Sequence, residues 1–365
     1  TSEKTYTPNM DKLYKKSTYF ENAYAQGGWT SISLPSLIWS KYPRFIRFSP
    51  LWEDNRLALH TENIAPKGRK IKKRFQTPLN EPEANIAKIL NDNNYATYAV
   101  NNDGETSYFN PSLGFSKWFT NILYPKDIRD RYEKSAQKRM HLDEVATNST
   151  IEVIESSDNQ PFFIWTHLFA PHAPYVPPND YGIPFDGYKG EVYFADMMVG
   201  RILEALEKTK RDQNTIVVIN GDHGESINEH HGILNHGKSL YDDAVKVPLL
   251  FYIPPKNTPR TIETEVGLVD IAPTILDILG IPIPKSMHGI TLRPVIESKG
   301  TTFDRHPVYL ETWAWNLKNE YRLNIVGVVY KKHKLVKDVL NKTYQMYDLK
   351  RDPMEKQNLL LDQRK

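Results

Sequence analysis

The 365-residue chain contains no cysteine. Disulfides, zinc–thiolate centres and cysteine nucleophiles are therefore excluded. There is no apolar run of about 18 residues, the length a bilayer span needs. Charge of one sign is also missing: 47 Lys+Arg stand against 44 Asp+Glu, a formal net charge of +3. A dedicated nucleic-acid binder carries a strongly basic footprint, so no nucleic-acid partner is expected. The chain has neither an initiating Met nor a signal-peptide pattern. Thr1-Ser2-Glu3-Lys4 reads as the middle of a longer chain, so an excised domain is expected.

Hydrophobic residues make up 39% and charged residues 25%, which fits a folded globular protein and excludes a disordered or fibrous one. The length allows one large α/β domain with a smaller appendage, or two or three ordinary domains. Met10, Leu13 and Tyr14 mark a short first helix. Residues 60–82 are polar and carry the basic run Lys67–Arg74, with prolines at 66, 78 and 82. That run is either a solvated loop or a contact for anionic polymer or lipid headgroups.

From Glu83 onward, helical and strand patterns alternate. Ala84–Leu90 predicts a helix and Tyr95–Val100 a strand. Val145–Ile154 predicts a helix, Pro161–His167 a buried strand, and the apolar stripe of Glu191–Lys208 a long helix. Thr215–Asn220 is β-branched and unbroken, the pattern of a central parallel strand, and Val247–Ile253 predicts another. Ile271–Leu279 is a helix behind Asp270. Such alternation implies a doubly wound sheet with its chemistry at the C-terminal ends of the strands. After about residue 300, Val308–Glu311, Leu323–Tyr330 and Tyr344–Leu349 predict short strands of a small C-terminal subdomain.

Candidate chemistry gathers at four places. Asn220-Gly-Asp-His-Gly-Glu-Ser226 follows the strongest strand. Asp222 and His223, side by side in a glycine-flanked turn, can both reach one divalent cation, or can simply form a polar strand-to-loop turn. His236-Gly-Lys238 lies between that turn and a buried strand, where cations can hold a tetrahedral anion. His230 and His231, just before it, read as exposed and structural. Ala170-Pro-His172-Ala-Pro-Tyr175 sets a histidine between prolines that stiffen its loop; a connector with a solvated imidazole is the plainer alternative. Gly27–Pro35 collects hydroxyls, among them Thr30, in an apolar stretch that is otherwise an ordinary helix start. Beside a divalent cation such a hydroxyl can become an alkoxide nucleophile.

Taken together, these motifs resemble the sulfatase branch of the alkaline phosphatase superfamily. The resemblance runs from Tyr6-Thr-Pro-Asn-Met-Asp-Lys-Leu13 through Pro161–Tyr175, Asp222–Ser226, His236–Asp243 and Leu268–Thr274 to Tyr347–Pro353. It implies an α/β fold: a large mixed, mostly parallel sheet sandwiched by helices, with a small C-terminal α+β subdomain. Residues 1–300 would form the catalytic domain and 301–365 the subdomain. It also implies a nucleophile at a helix N-terminus and one divalent metal ion (Mn, Zn, Mg or Ca).

Ordinary sulfatases make a formylglycine from Cys or Ser within a motif that ends in Arg. This chain departs from that motif: Ser33-Leu-Pro-Ser-Leu37 ends in Leu, and spacing puts Thr30 at the nucleophile's place. Thr30–Pro35 resembles the threonine motif of phosphoethanolamine transferases, and lipoteichoic acid synthases also use Thr. The resemblance makes Asp222 and His223 metal ligands with Thr30 beside them. It makes His236 a substrate or second-metal histidine, Lys238 a sulfate contact and His172 a neighbour of the anionic ester.

The family's first metal carboxylate lies upstream of Thr1, on a strand expected to have been omitted. The implied function is a metal-dependent hydrolase or transferase acting on phosphate or sulfate esters through Thr30. Phosphorus is favoured because a threonine sulfate cannot expel sulfate as an aldehyde hydrate does. Sulfate ester hydrolysis is the alternative, and a non-catalytic anion-binding member of the fold the second. An extracytoplasmic location, with envelope association through the upstream segment, is expected by the same likeness.

Overall fold

The computed structural model describes residues 5–48, 83–101, 118–123, 141–157, 160–227, 229–230, 233–255, 259–297, 306–315 and 321–361. The basic run Lys67–Arg74 and His231 lie outside the described residues.

Pro8, whose fixed φ and missing N–H suit a first helical position, opens α1 (Pro8–Tyr14). Strands β1 (Thr18–Phe20) and β2 (Ala23–Tyr24) lead into α2 (Thr30–Trp39), buried from Ser31 to its end. Then come α3 (Ile86–Asp92), β3 (Ala96–Asn101), β4 (Asn121–Leu123), α4 (Leu142–Ser156), β5 (Phe162–His167) and α5 (Gly187–Lys208). Strands β6 (Val217–Asn220), β7 (Ser226–Ile227), β8 (Leu234–Asn235), β9 (Lys246–Val247), β10 (Leu249–Tyr252), β11 (Arg260–Ile262) and β12 (Val266–Gly267) follow. Helices α6 (Ile271–Ile278) and α7 (Arg293–Glu297) precede β13 (Val308–Trp315), β14 (Tyr321–Tyr330), β15 (His333–Asp338) and β16 (Thr343–Asp348).

Two sheets carry the site. One has the order β11-β1-β10-β6, the other β4-β3-β5. The second is all parallel, with Ala96 opposite Phe162 and Asn101 opposite His167. The first is mixed, and here the sequence reading is corrected: β10 runs antiparallel to both β1 and β6. An unbroken β-branched run signals burial on two faces; it does not encode strand direction.

A second correction concerns β6. Among the described residues it is an edge strand, half-buried along its length, and so is β5 in its own sheet. The two strands nevertheless share both packing layers. Phe163, Trp165 and Val218 meet the main core around Leu34, Leu37 and Trp39 of α2. Phe162, Ile164 and Val217 meet Ile154 of α4 and Ala205 and Leu206 of α5. Their C-terminal ends, at His167 and Asn220, open on the same place.

The C-terminal subdomain is a four-stranded antiparallel sheet in the order β13-β14-β15-β16. Val308, Leu310, Val329 and Val336 bury one face against Tyr24, Leu240, Ala244 and Val245. The molecule thus has an α/β fold, with helices packed on parallel and mixed sheets and an antiparallel appendage.

Candidate active site

Thr30 is the first residue of α2, and Trp29 caps the helix with extended backbone. No side chain caps that end and no acidic residue lies in its first turn. The first N–H groups of a helix and its positive dipole end favour an anion, here beside Thr30. Trp29 is fixed from two directions: its indole N–H donates to the Gly237 carbonyl at 2.8 Å and to the Thr312 hydroxyl at 3.1 Å. Thr312 donates in turn to the Gly237 carbonyl at 3.0 Å, so β13 braces the helix start.

The Asp222–His223 turn leaves β6 and is held from behind. The Gly224 N–H donates to the Ala244 carbonyl at 2.8 Å, and a Cβ on Gly224 would fall on the Asp243 backbone. His223 Nδ1 lies 2.8 Å from the Gly224 carbonyl. A carbonyl only accepts, so Nδ1 carries a proton. Nε2 of the same ring lies 3.0 Å from Thr30 Oγ1, within hydrogen-bond distance. Thr30 and His223 are thus brought together as a hydroxyl and an imidazole.

Asp222 completes the group, with Oδ2 3.6 Å from His223 Nε2. Burial pushes its carboxyl up, but the His223 and His167 imidazoles, the Thr30 hydroxyl and the His223 amide together hold it below the usual range. Oδ1 accepts from the His223 N–H at 3.0 Å, while Oδ2 is buried and makes no hydrogen bond of normal geometry among the described residues. A buried carboxylate oxygen with no such bond, beside an imidazole nitrogen, is donor chemistry that fits a divalent cation. Among the described residues, no group of three or more His, Asp or Glu side chains is placed to hold a metal.

His236 and His172 extend the site. The His236 ring centroid is 4.5 Å from that of His223 and 5.0 Å from that of His172. His236 Nδ1 faces both oxygens of Glu225, at 3.2 and 3.3 Å, and His172 Nδ1 faces the Ala173 carbonyl at 2.7 Å. All three imidazoles therefore carry a proton on Nδ1 and are oriented by it. Burial pushes Glu225 up, but the His236 ring and the Tyr175 hydroxyl hold it below the ordinary carboxylate range. Burial and Glu225 in turn push the Tyr175 phenol up to about 12.

The structure brings together Thr30, Asp222, His223, His236 and His172. Lys238 is exposed and follows Gly237 in the chain. His230, expected to be exposed, is not: only 13% of its side chain is open. Its ring stacks on Tyr241 at 3.9 Å and is fixed by Asp243 and the Met354 carbonyl, a structural role. Glu225, Tyr175, Trp29 and His167 were not singled out from sequence. His167 alone had a readable signal, a histidine at the C-terminal end of a predicted strand.

A family model described as sulfatase matches residues 2–281. A second, described as N-sulphoglucosamine sulphohydrolase, C-terminal, matches residues 229–365. Arylsulfatase K of Homo sapiens is 34% identical over 170 residues, 45% of this chain and 31% of that protein, so the match spans under a third of that relative. An arylsulfatase of Clostridium perfringens (strain 13 / Type A) is 24% identical over 428 residues, 97% of this chain and 85% of that protein. These relatives are sulfatases, not phosphoethanolamine transferases. Among solved structures, one in complex with its substrate D-glucosamine-2-N,6-O-disulfate superposes with a TM-score of 0.73 at 18% identity, covering 97% of this chain and 88% of that one. The phosphonate monoester hydrolase of Agrobacterium radiobacter gives 0.70 at 18% identity, covering 98% and 87%. Both are likenesses of fold.

Proposed function

This chain belongs to the sulfatase family, and from that premise we propose that it hydrolyses a sulfate ester at the pocket of Thr30, Asp222 and His223. The observation that carries the proposal is the Thr30 hydroxyl, 3.0 Å from His223 Nε2 at a helix N-terminus that no side chain caps. The names of the relatives favour sulfur, with aryl or sugar alcohols as leaving groups.

The chain's own residues supply the following steps. The N-terminal end of α2 and the imidazole cluster bind the sulfuryl oxygens. Thr30 Oγ attacks sulfur in line; its proton passes to an imidazole as the S–O(Thr30) bond forms and the S–O(alcohol) bond breaks. The departing oxygen takes a proton from His172 or His236. Water then attacks the sulfur of the sulfo-threonine and gives a proton to an imidazole, and sulfate leaves as Thr30 Oγ is reprotonated. Asp222 and His223 would hold a divalent cation, which when bound lowers the pKa of a neighbouring hydroxyl and offsets charge on the ester.

Phosphate ester cleavage is a second reading, favoured by one observation: a threonine stands where collapse of an aldehyde hydrate would otherwise release sulfate. Initial rates on 4-nitrophenyl sulfate, bis(4-nitrophenyl) phosphate and 4-nitrophenyl phosphate separate the two. The sulfate ester is expected to give the highest kcat/KM. A higher value for the phosphodiester would replace the proposal with the second reading.

A further inference from the structure

The segment that carries His172, residues 168–176, begins the connection from β5 to α5 and is tied down at both ends by buried carboxylates from two helices. At its entry, Asp143 of α4 is fully buried. One of its oxygens accepts the Phe169 N–H and the other the Ala170 N–H, each at 2.8 Å. At its exit, Glu191 of α5 is 5% exposed and accepts the Val176 N–H. A Cβ on Gly190 would collide with Pro177 and the Phe185 carbonyl, so the outgoing chain is pressed onto the same helix turn.

Between the two ties, the His172 N–H donates to the Phe169 carbonyl at 2.8 Å, which closes a tight turn. The Phe169 ring stacks on the imidazole with centroids 4.3 Å apart and planes at 22°. Asp143 thus fixes the residue whose backbone and ring together set the direction of His172.

We propose that Asp143 and Glu191 are positioning residues: they hold the His172 imidazole at the distance from His236 and Thr30 that the reaction needs. Neither touches the reacting atoms. Two buried carboxylates side by side are costly, and burial and Asp143 both push the Glu191 carboxyl up. Each satisfies backbone N–H groups of this one segment: Asp143 those of Phe169 and Ala170, Glu191 that of Val176. A charged acceptor makes the stronger hydrogen bond to such donors. An amide at 143 would turn an N–H toward one of them and leave that donor unsatisfied.

The kinetic part of this inference rests on the proposed sulfate-ester reaction; the spectroscopic part does not. Asp143→Asn and Glu191→Ala are made alone and in a His172→Ala background. Turnover of 4-nitrophenyl sulfate and the imidazole 15N resonance of His172 are then measured on folded protein. Asp143→Asn is expected to lower kcat about 10- to 100-fold with a smaller change in KM, since small misplacements of a reacting group cost about that much. In the His172→Ala background the same change is expected to cost less than about twofold, because the two act as one unit. The His172 resonance shifts in both single variants, while that of the distant His333 stays. Equal losses in both backgrounds, or a His172 resonance unmoved in both variants, overturn the proposal. Should Asp143→Asn fail to fold, Glu191→Ala carries both readouts. Wild-type protein inert toward every sulfate ester defeats the sulfate reading, and the resonance arm then decides this proposal alone.

Discussion

At the scale of residues, the site is a set of imidazoles oriented through Nδ1 around one hydroxyl. His236 shows how far the sequence reaches. Its place after a glycine-flanked turn was legible. Its partner Glu225, eleven residues upstream, was not, because nothing in the spacing tells which carboxylate a loop folds onto. Truncating His236 to Ala removes one donor to the developing charge and is expected to raise the barrier by about 2.7–4 kcal/mol. Steady-state kcat checks this, and an unchanged value would remove His236 from the chemistry. Asp222 Oδ2 leads to a second expectation. Dialysis against a chelator should abolish turnover, and added Ca or Mn should restore it. Full activity in metal-free protein, verified by elemental analysis, would leave that oxygen unexplained.

At the scale of elements, α2 was read correctly as a helix start that carries Thr30, since hydroxyls behind a glycine pair precede an apolar run. What presses it into place comes from far along the chain. Gly237 has φ of +80°, a left-handed conformation, and a Cβ there would overlap the Trp29 indole. Gly237→Ala should therefore push Trp29 and the first turn of α2 away from His223. The expected destabilisation is about 1–3 kcal/mol from overpacking, with a larger fractional loss of turnover than of folded protein. Thermal unfolding and kcat, measured on the same sample, test it. Strand existence was legible in β5, β6 and β10 from their apolar runs; direction and edge position were not, because both depend on partners distant in sequence. β15 was missed for a different reason. His333-Lys-Leu-Val-Lys-Asp338 offers no apolar run of strand length, yet Lys334 is completely buried.

At the scale of the molecule, that lysine fastens the C-terminal sheet to the site-bearing half. Lys334 Nζ lies 2.8 Å from Glu355 Oε1 and 2.5 Å from Asp242 Oδ1, and it donates to the Leu240 carbonyl at 3.0 Å. These contacts reach the chain segment that follows Gly237, and β13 braces Trp29 from the same sheet. Lys334→Met leaves two carboxylates uncompensated and is expected to cost about 3–5 kcal/mol in denaturant unfolding. A loss under about 1 kcal/mol would mean that the sheet is held by its apolar face alone. The general fold was visible because its motifs recur in order along the chain. The division of labour between sheet and site was invisible, since it rests on contacts that close only in three dimensions.

The central claim is that Thr30 Oγ makes the covalent bond to the ester. Its most direct test is the turnover of 4-nitrophenyl sulfate by Thr30→Ala beside the wild-type protein, with metal content and melting temperature matched. A fall of at least about 10³-fold is predicted. A rate within about twofold of wild type would contradict the claim.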